Sequence, residues 1–200
     1  RGDVWEDDSL AVKVGYIKGY EDNDFIGFSL KSFFNKKFLK YKSKENINYP
    51  IVRTKLGPYG GMFLTLDNLK KIGLPRKDFY LYADDHEFSL RFGKYAIDQY
   101  LVYGSRLIDI DVSFSEGNRF FDPKTADFKL FYSLRNHTYL SFSHSNKKSI
   151  YFFNKFVFIV LLFVKSTPFF FKKPKHFFKR IKLIFRAIHD GENNKLGQTF

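Results

Sequence analysis

Gly57 to Arg91 reads GPYGGMFLTLDNLKKIGLPRKDFYLYADDHEFSLR, and the reading of this stretch sets the expectation for the fold. Gly57, Gly60 and Gly61 around Pro58 mark a turn whose backbone takes positive φ or lets another group approach closely. Leu66, Leu69 and Ile72 fall on one side of a helix. Thr65 or Asp67 suits its start and Gly73 its end. Beyond Pro75, the aromatic run Phe79 to Tyr82 predicts extended chain. Asp84-Asp85-His86-Glu87 follows and opens a second helix, with Phe88 and Phe92 on one face. Arg91, four residues past Glu87, is placed to pair with it.

Three carboxylates within four positions repel one another and lose hydration if partly buried. A bound cation offsets that cost, because hard cations take carboxylate oxygens. A proton-transfer task does so as well, with one carboxylate accepting a proton from a hydroxyl nucleophile. A helix N-terminus decorated with acids is the plainest account and is favourable by itself.

Working outward, Leu10 to Ile17 alternates as a strand, and Phe25 to Leu39 is ambiguous between helix and strand. Lys40 to Asn48 is a charged loop, and Tyr49 to Lys55 a short strand leading to the glycine turn. Ala96 to Tyr103 and Arg106 to Phe114 read as strands. The second puts Asp109 and Asp111 on one face, as further carboxylate ligands or as a solvated strand face. Phe128 to Ser141 has helical spacing. Its Arg135-Asn136 reads as a helix surface pair or as a contact for a phosphate or lipid head group. Ile150 to Phe171 is almost wholly apolar, but its uninterrupted core, Phe156 to Val164, is too short to span a bilayer. A surface-lying or partly buried helix is expected there. Lys172 to Arg186 mixes basic and apolar residues in an amphipathic pattern.

The 200 residues carry a net charge of +13, with no Asp or Glu between Asn146 and Arg186. A basic, apolar segment of this kind fits an anionic membrane surface, or nucleic acid. At 44% hydrophobic the chain can build a core. Aromatics make up 20% and 27 residues are Phe, a loading that coding bias also produces. The absence of Cys excludes disulfides, zinc-thiolate sites and thiol nucleophiles. The five His show no metal-ligand spacing, and there is no nucleophile elbow, P-loop or GxGxxG. The opening RGDVWEDD is no signal peptide and reads as the start of a C-terminal piece of a longer protein.

Gly60-Gly61-Met62-Phe63, Lys71-Ile72-Gly73-Leu74-Pro75 and Phe79 to Arg91 together resemble the second half of family 2 inverting glycosyltransferases of the GT-A fold. The bacterial galactofuranosyl- and rhamnosyl-transferase branch is the most similar. Tyr132-Ser133-Leu134-Arg135-Asn136 resembles the "RN" helix of those proteins. Ala187 to Gly191 with Lys195-Leu196-Gly197 resembles their "DG…G" ending. The resemblance implies an α/β fold, the C-terminal half of a GT-A mixed sheet, followed by a basic, Phe-rich helical region. Residues 1–125 would form the acceptor side of the catalytic domain, lacking the nucleotide-binding half, and 126–200 a helical membrane-associating region.

Carried over by position, Asp85 would be the general base. Asp84, Glu87, Tyr59, Gly60, Gly61 and Arg91 would shape the acceptor site. Mg²⁺ or Mn²⁺ is implied, with Asp109 standing where the family has a ligand. The partners implied are a UDP- or dTDP-sugar donor, a glycan or lipid-linked glycan acceptor and an anionic membrane surface, without nucleic acid. The implied location is the cytoplasmic face of the cell membrane, and the implied role is cell-surface polysaccharide synthesis. A non-catalytic basic module for anionic lipid or nucleic acid is the alternative.

Overall fold

The computed structural model describes residues 23–31, 33, 34, 51–102, 105 and 120–199. They form two compact units. One takes the described residues of Lys31–Arg76 and Asp85–Ser115. The other takes those of Glu21–Leu30, Lys77–Asp84 and Glu116–Phe200.

The first unit is a small sheet with two helices. Strand β1 (Ile51–Thr54) pairs antiparallel with β2 (Gln99–Val102), Ile51 opposite Val102 and Thr54 opposite Gln99. Helix α1 (Leu66–Ile72) begins as its sequence requires, with the Thr65 hydroxyl accepting from the Asn68 amide. It ends at Gly73, whose φ of 77° suits a residue without a side chain. Helix α2 (Asp84–Lys94) packs Phe88 and Phe92 with Ile72, against Met62, Leu64, Leu69 and Ile97.

The second unit is three helices, α3 (Asp127–Ser143), α4 (Lys148–Lys172) and α5 (Pro174–Glu192). Its core joins Phe121, Leu130, Phe131, Leu134, Tyr151, Leu162, Phe177, Ile184 and Ile188, with Phe25 from upstream. Phe121 stacks on Phe177 with ring centroids 5.3 Å apart. Helices α3 and α5 approach closely because Gly191 faces the α3 backbone. A Cβ there would lie 2.4 Å from the Arg135 carbonyl oxygen. Pro168 lies inside α4 and cannot donate to Val164 four residues earlier. The Thr167 hydroxyl donates to that carbonyl instead, at 2.9 Å, and the helix continues.

The expected α/β fold is not what forms. The described residues are 60% helical and 7% strand, and their only sheet has two strands. A mixed GT-A half-sheet needs several strands buried on both faces. Here the pair is short and outward-facing at Ile51, Tyr100 and Val102, all exposed. Phe79 to Tyr82, expected to be extended, closes a 3₁₀ turn (Lys77–Phe79) and then enters the left-handed region at Tyr80, Tyr82 and Ala83. The strands expected at Leu10 to Ile17 and Arg106 to Phe114 lie outside the described residues. The helical expectations over Phe128 to Ser141 and Lys172 to Arg186 agree with α3 and α5. Helix α4 runs well beyond the short apolar core seen in the sequence.

Candidate functional site

The site is built in the first unit from the glycine loop and the start of α2. Ser89, fully buried, joins them. Its hydroxyl accepts from the Gly57 amide at 3.0 Å and lies 2.7 Å from the Gly57 carbonyl and 2.8 Å from the Asp85 carbonyl. Gln99 of β2 continues the link by donating to the Ser89 carbonyl at 2.9 Å. The glycine loop is thus held one helical turn from Asp85. Tyr59 is partly exposed on that loop, its ring set edge-on to Phe88 at 5.7 Å. Its carbonyl accepts from Met62 to close the turn through the exposed Gly60 and Gly61, the latter at φ 78°.

The acids take different roles. Glu87 is buried and committed: Oε2 accepts from Arg91 Nη2 at 2.8 Å and Nε at 3.1 Å. Arg91 also donates through Nη1 to the carbonyls of Ile72 and Leu74, at 2.8 and 3.0 Å, and lies over the Phe88 ring. This cation closes the C-terminal end of α1, where unpaired carbonyls favour positive charge. Asp85 is half-buried at the second position of α2. Its Oδ1 accepts from the His86 amide at 2.8 Å, while Oδ2 makes no hydrogen bond among the described residues. Asp84 is also half-buried, at the first position of the helix. Of the sequence-predicted residues, Asp85, Glu87, Arg91, Tyr59, Gly60 and Gly61 therefore fall in one unit. Glu87 and Arg91 are bound to each other.

Arg135 and Asn136, read from sequence as a surface pair or a head-group contact, are both fully buried in the second unit. Asn136 Nδ2 donates to the carbonyls of Phe79, Leu81 and Tyr82 at 2.7, 2.7 and 2.9 Å. It thereby clamps the left-handed turn that leads to Asp84. Arg135 donates through Nε to Asn136 Oδ1 at 2.9 Å and through Nη1 to the Gly197 carbonyl at 2.8 Å, under the Tyr132 ring. Burial holds its pKa below the usual arginine value. Gly197 in turn donates to the Asp78 carbonyl at 2.6 Å. Three sequence patches, the YLYAD run, Arg135-Asn136 and the Gly191 to Gly197 ending, thus meet in one network.

Sequence reasoning missed Ser89 and Gln99. The only signal for Ser89 was a small polar residue between Phe88 and Phe92, one turn after Asp85. Asp109 and Asp111, the candidate metal ligands, lie outside the described residues. Among the described residues no group of three His, Cys, Asp or Glu could hold a metal ion. The Mg²⁺ or Mn²⁺ implied by resemblance is therefore assigned no residues. Comparison with protein-family models, curated proteins and solved structures gives no match.

Proposed function

We propose that the chain carries the acceptor-activating part of an inverting glycosyltransferase acting at a membrane surface in cell-surface polysaccharide synthesis. The observation that carries the reading is the glycine loop bound through Ser89 to the turn that bears Asp85, with one Asp85 oxygen uncommitted among the described residues. The convergence of the three resembling patches on one network supports it further.

In the proposed reaction an acceptor hydroxyl of a glycan or lipid-linked glycan attacks the anomeric carbon of a nucleotide sugar. A new C–O bond forms as the bond to the diphosphate breaks, and the configuration inverts. Asp85 takes the hydroxyl proton, and the diphosphate leaves with the bonding pair. Tyr59 offers a ring face to the acceptor sugar. Glu87 and Arg91 hold α2 in place rather than touch substrate.

The test is release of nucleoside diphosphate and labelled glycan from a panel of UDP- and dTDP-sugars on membrane acceptors, using the full-length protein. Asp85→Asn is expected to lower turnover by roughly 10²- to 10⁴-fold with an unchanged unfolding midpoint. Near-normal turnover of that variant removes Asp85 from the chemistry. The second reading, a non-catalytic basic module, is favoured by the +13 charge. Lipid binding by a wild-type protein that turns over no donor in the panel would select it.

A further inference from the structure

Helix α4 has two opposite faces. Tyr151, Asn154, Leu162 and Ser166 are buried. Asn154 anchors this face by donating to the Asn23 carbonyl and accepting from the Leu30 amide, at 2.8 and 3.3 Å. Tyr151 and Lys155 both bind Glu192 of α5, at 2.9 and 2.6 Å. Phe153, Phe156, Val160, Val164 and Phe171 point the other way. At about 100° per residue they share an arc of about 80°. They are 56%, 64%, 43%, 66% and 76% exposed. The most apolar 18-residue window of α4 is only 22% buried. Phe178 and Phe185 extend the apolar surface onto α5, and Phe163 meets Phe185 across the seam. Lys172, Lys173, Lys175 and Lys182 are exposed around it without an ion pair among the described residues.

An apolar stripe this long, edged by exposed lysines and free of acids, complements an anionic lipid surface. We infer that α4 lies in the plane of an anionic bilayer, with Phe153 to Phe171 in the acyl boundary and the α5 lysines at the phosphates. By length and composition α4 is able to cross a bilayer, but its anchored polar face favours the in-plane position, because a span would carry Asn154 and its partners into the hydrocarbon with the helix. This rests on the membrane-surface part of the proposed function and not on Asp85, so vesicle binding and sugar transfer can fail separately.

The chain has no Cys, so single nitroxide labels can be placed at Phe153→Cys, Val160→Cys and Phe171→Cys. In phosphatidylcholine vesicles with phosphatidylglycerol, an in-plane helix puts all three labels at one shallow depth. A spanning helix separates the first and last by about 27 Å along its axis. Equal depth, with partition lost at high salt, is the expected result. A depth gradient across the labels overturns the inference. So does a stable dimer in sedimentation that occludes the stripe and leaves vesicles unbound. As a variant pair, Phe156→Ser with Val164→Ser is expected to weaken partition at least tenfold. Phe63→Ser, in the first unit and 92% exposed, should change nothing; an equal loss there would show that the effect is not particular to the α4 stripe and would overturn the inference.

Discussion

Asn136 offers the sharpest test of how the second unit is held. Its amide nitrogen serves three carbonyls, and its oxygen takes the Arg135 Nε. Two amide hydrogens cannot make three full bonds, so the clamp amounts to about two. The Phe79 carbonyl also accepts from the Leu81 amide at 2.7 Å, so losing the Asn136 bond leaves it partnered and costs about 1 kcal/mol. The shared bond to Leu81 and Tyr82 adds about 1 kcal/mol, and the Arg135 bond about 1 more. Asn136→Ala is therefore expected to cost about 3 kcal/mol.

The same clamp opposes strain in the turn. Tyr80, Tyr82 and Ala83 all have φ between 60° and 66°, which costs side-chain-bearing residues about 1 kcal/mol each. The carbonyl bonds, about 2 kcal/mol together, offset much of that cost, so the turn should relax when they are lost. The assay is urea unfolding, compared at constant m-value, with amide exchange read at Tyr80 to Ala83. Asn136→Asp keeps the shape but turns an acceptor toward three carbonyls, so it should be worse than alanine. A loss below about 1 kcal/mol, or unchanged exchange in the turn, would refute the clamp.

Gly191→Ala would bring a Cβ within 2.4 Å of the Arg135 carbonyl and 2.9 Å of Thr138 Cβ, neither of which is the end of a flexible chain. A loss of about 2 to 3 kcal/mol in thermal unfolding is expected, and an unchanged midpoint would show that α3 and α5 do not pack there. The pH profile should have two limbs. A hydrogen bond from Lys179, helped by the nearby charges of Arg180, Lys179 and His176, holds the Asp127 carboxyl below its ordinary value. That stability is present above the unfolded carboxyl pKa and is lost as pH falls through the lower folded value, so Asp127→Asn should flatten the acid limb. Burial first, then Glu192, pushes the Tyr151 hydroxyl up. The unfolded tyrosine ionises near pH 10 while the folded one stays protonated, so stability declines as pH rises past about 10. Tyr151→Phe should remove that decline, and an identical alkaline limb would exclude Tyr151 as its source.

Local signals in the sequence were reliable where one side chain settles one backbone choice. Thr65 and Gly73 bounded α1, and the four-residue spacing of Glu87 and Arg91 gave their ion pair, because neither depends on distant contacts. The periodicity over Phe128 to Ser141 and Lys172 to Arg186 gave α3 and α5 for the same reason. Composition alone set the +13 charge and the acid-free basic stretch. Only the tertiary structure decided what long-range partners impose. Phe79 to Tyr82 has the composition of a strand, but the Asn136 amide, more than fifty residues away, gives its carbonyls partners that no neighbouring strand supplies. Arg135-Asn136 looked like a helix surface because burial is not written in residue type. Ser89 was invisible because its role is a bond to Gly57, 32 residues upstream. The acidic cluster was legible as a cluster. Which of its members is bound and which has an oxygen to spare was not, because that division depends on where Arg91 reaches in three dimensions.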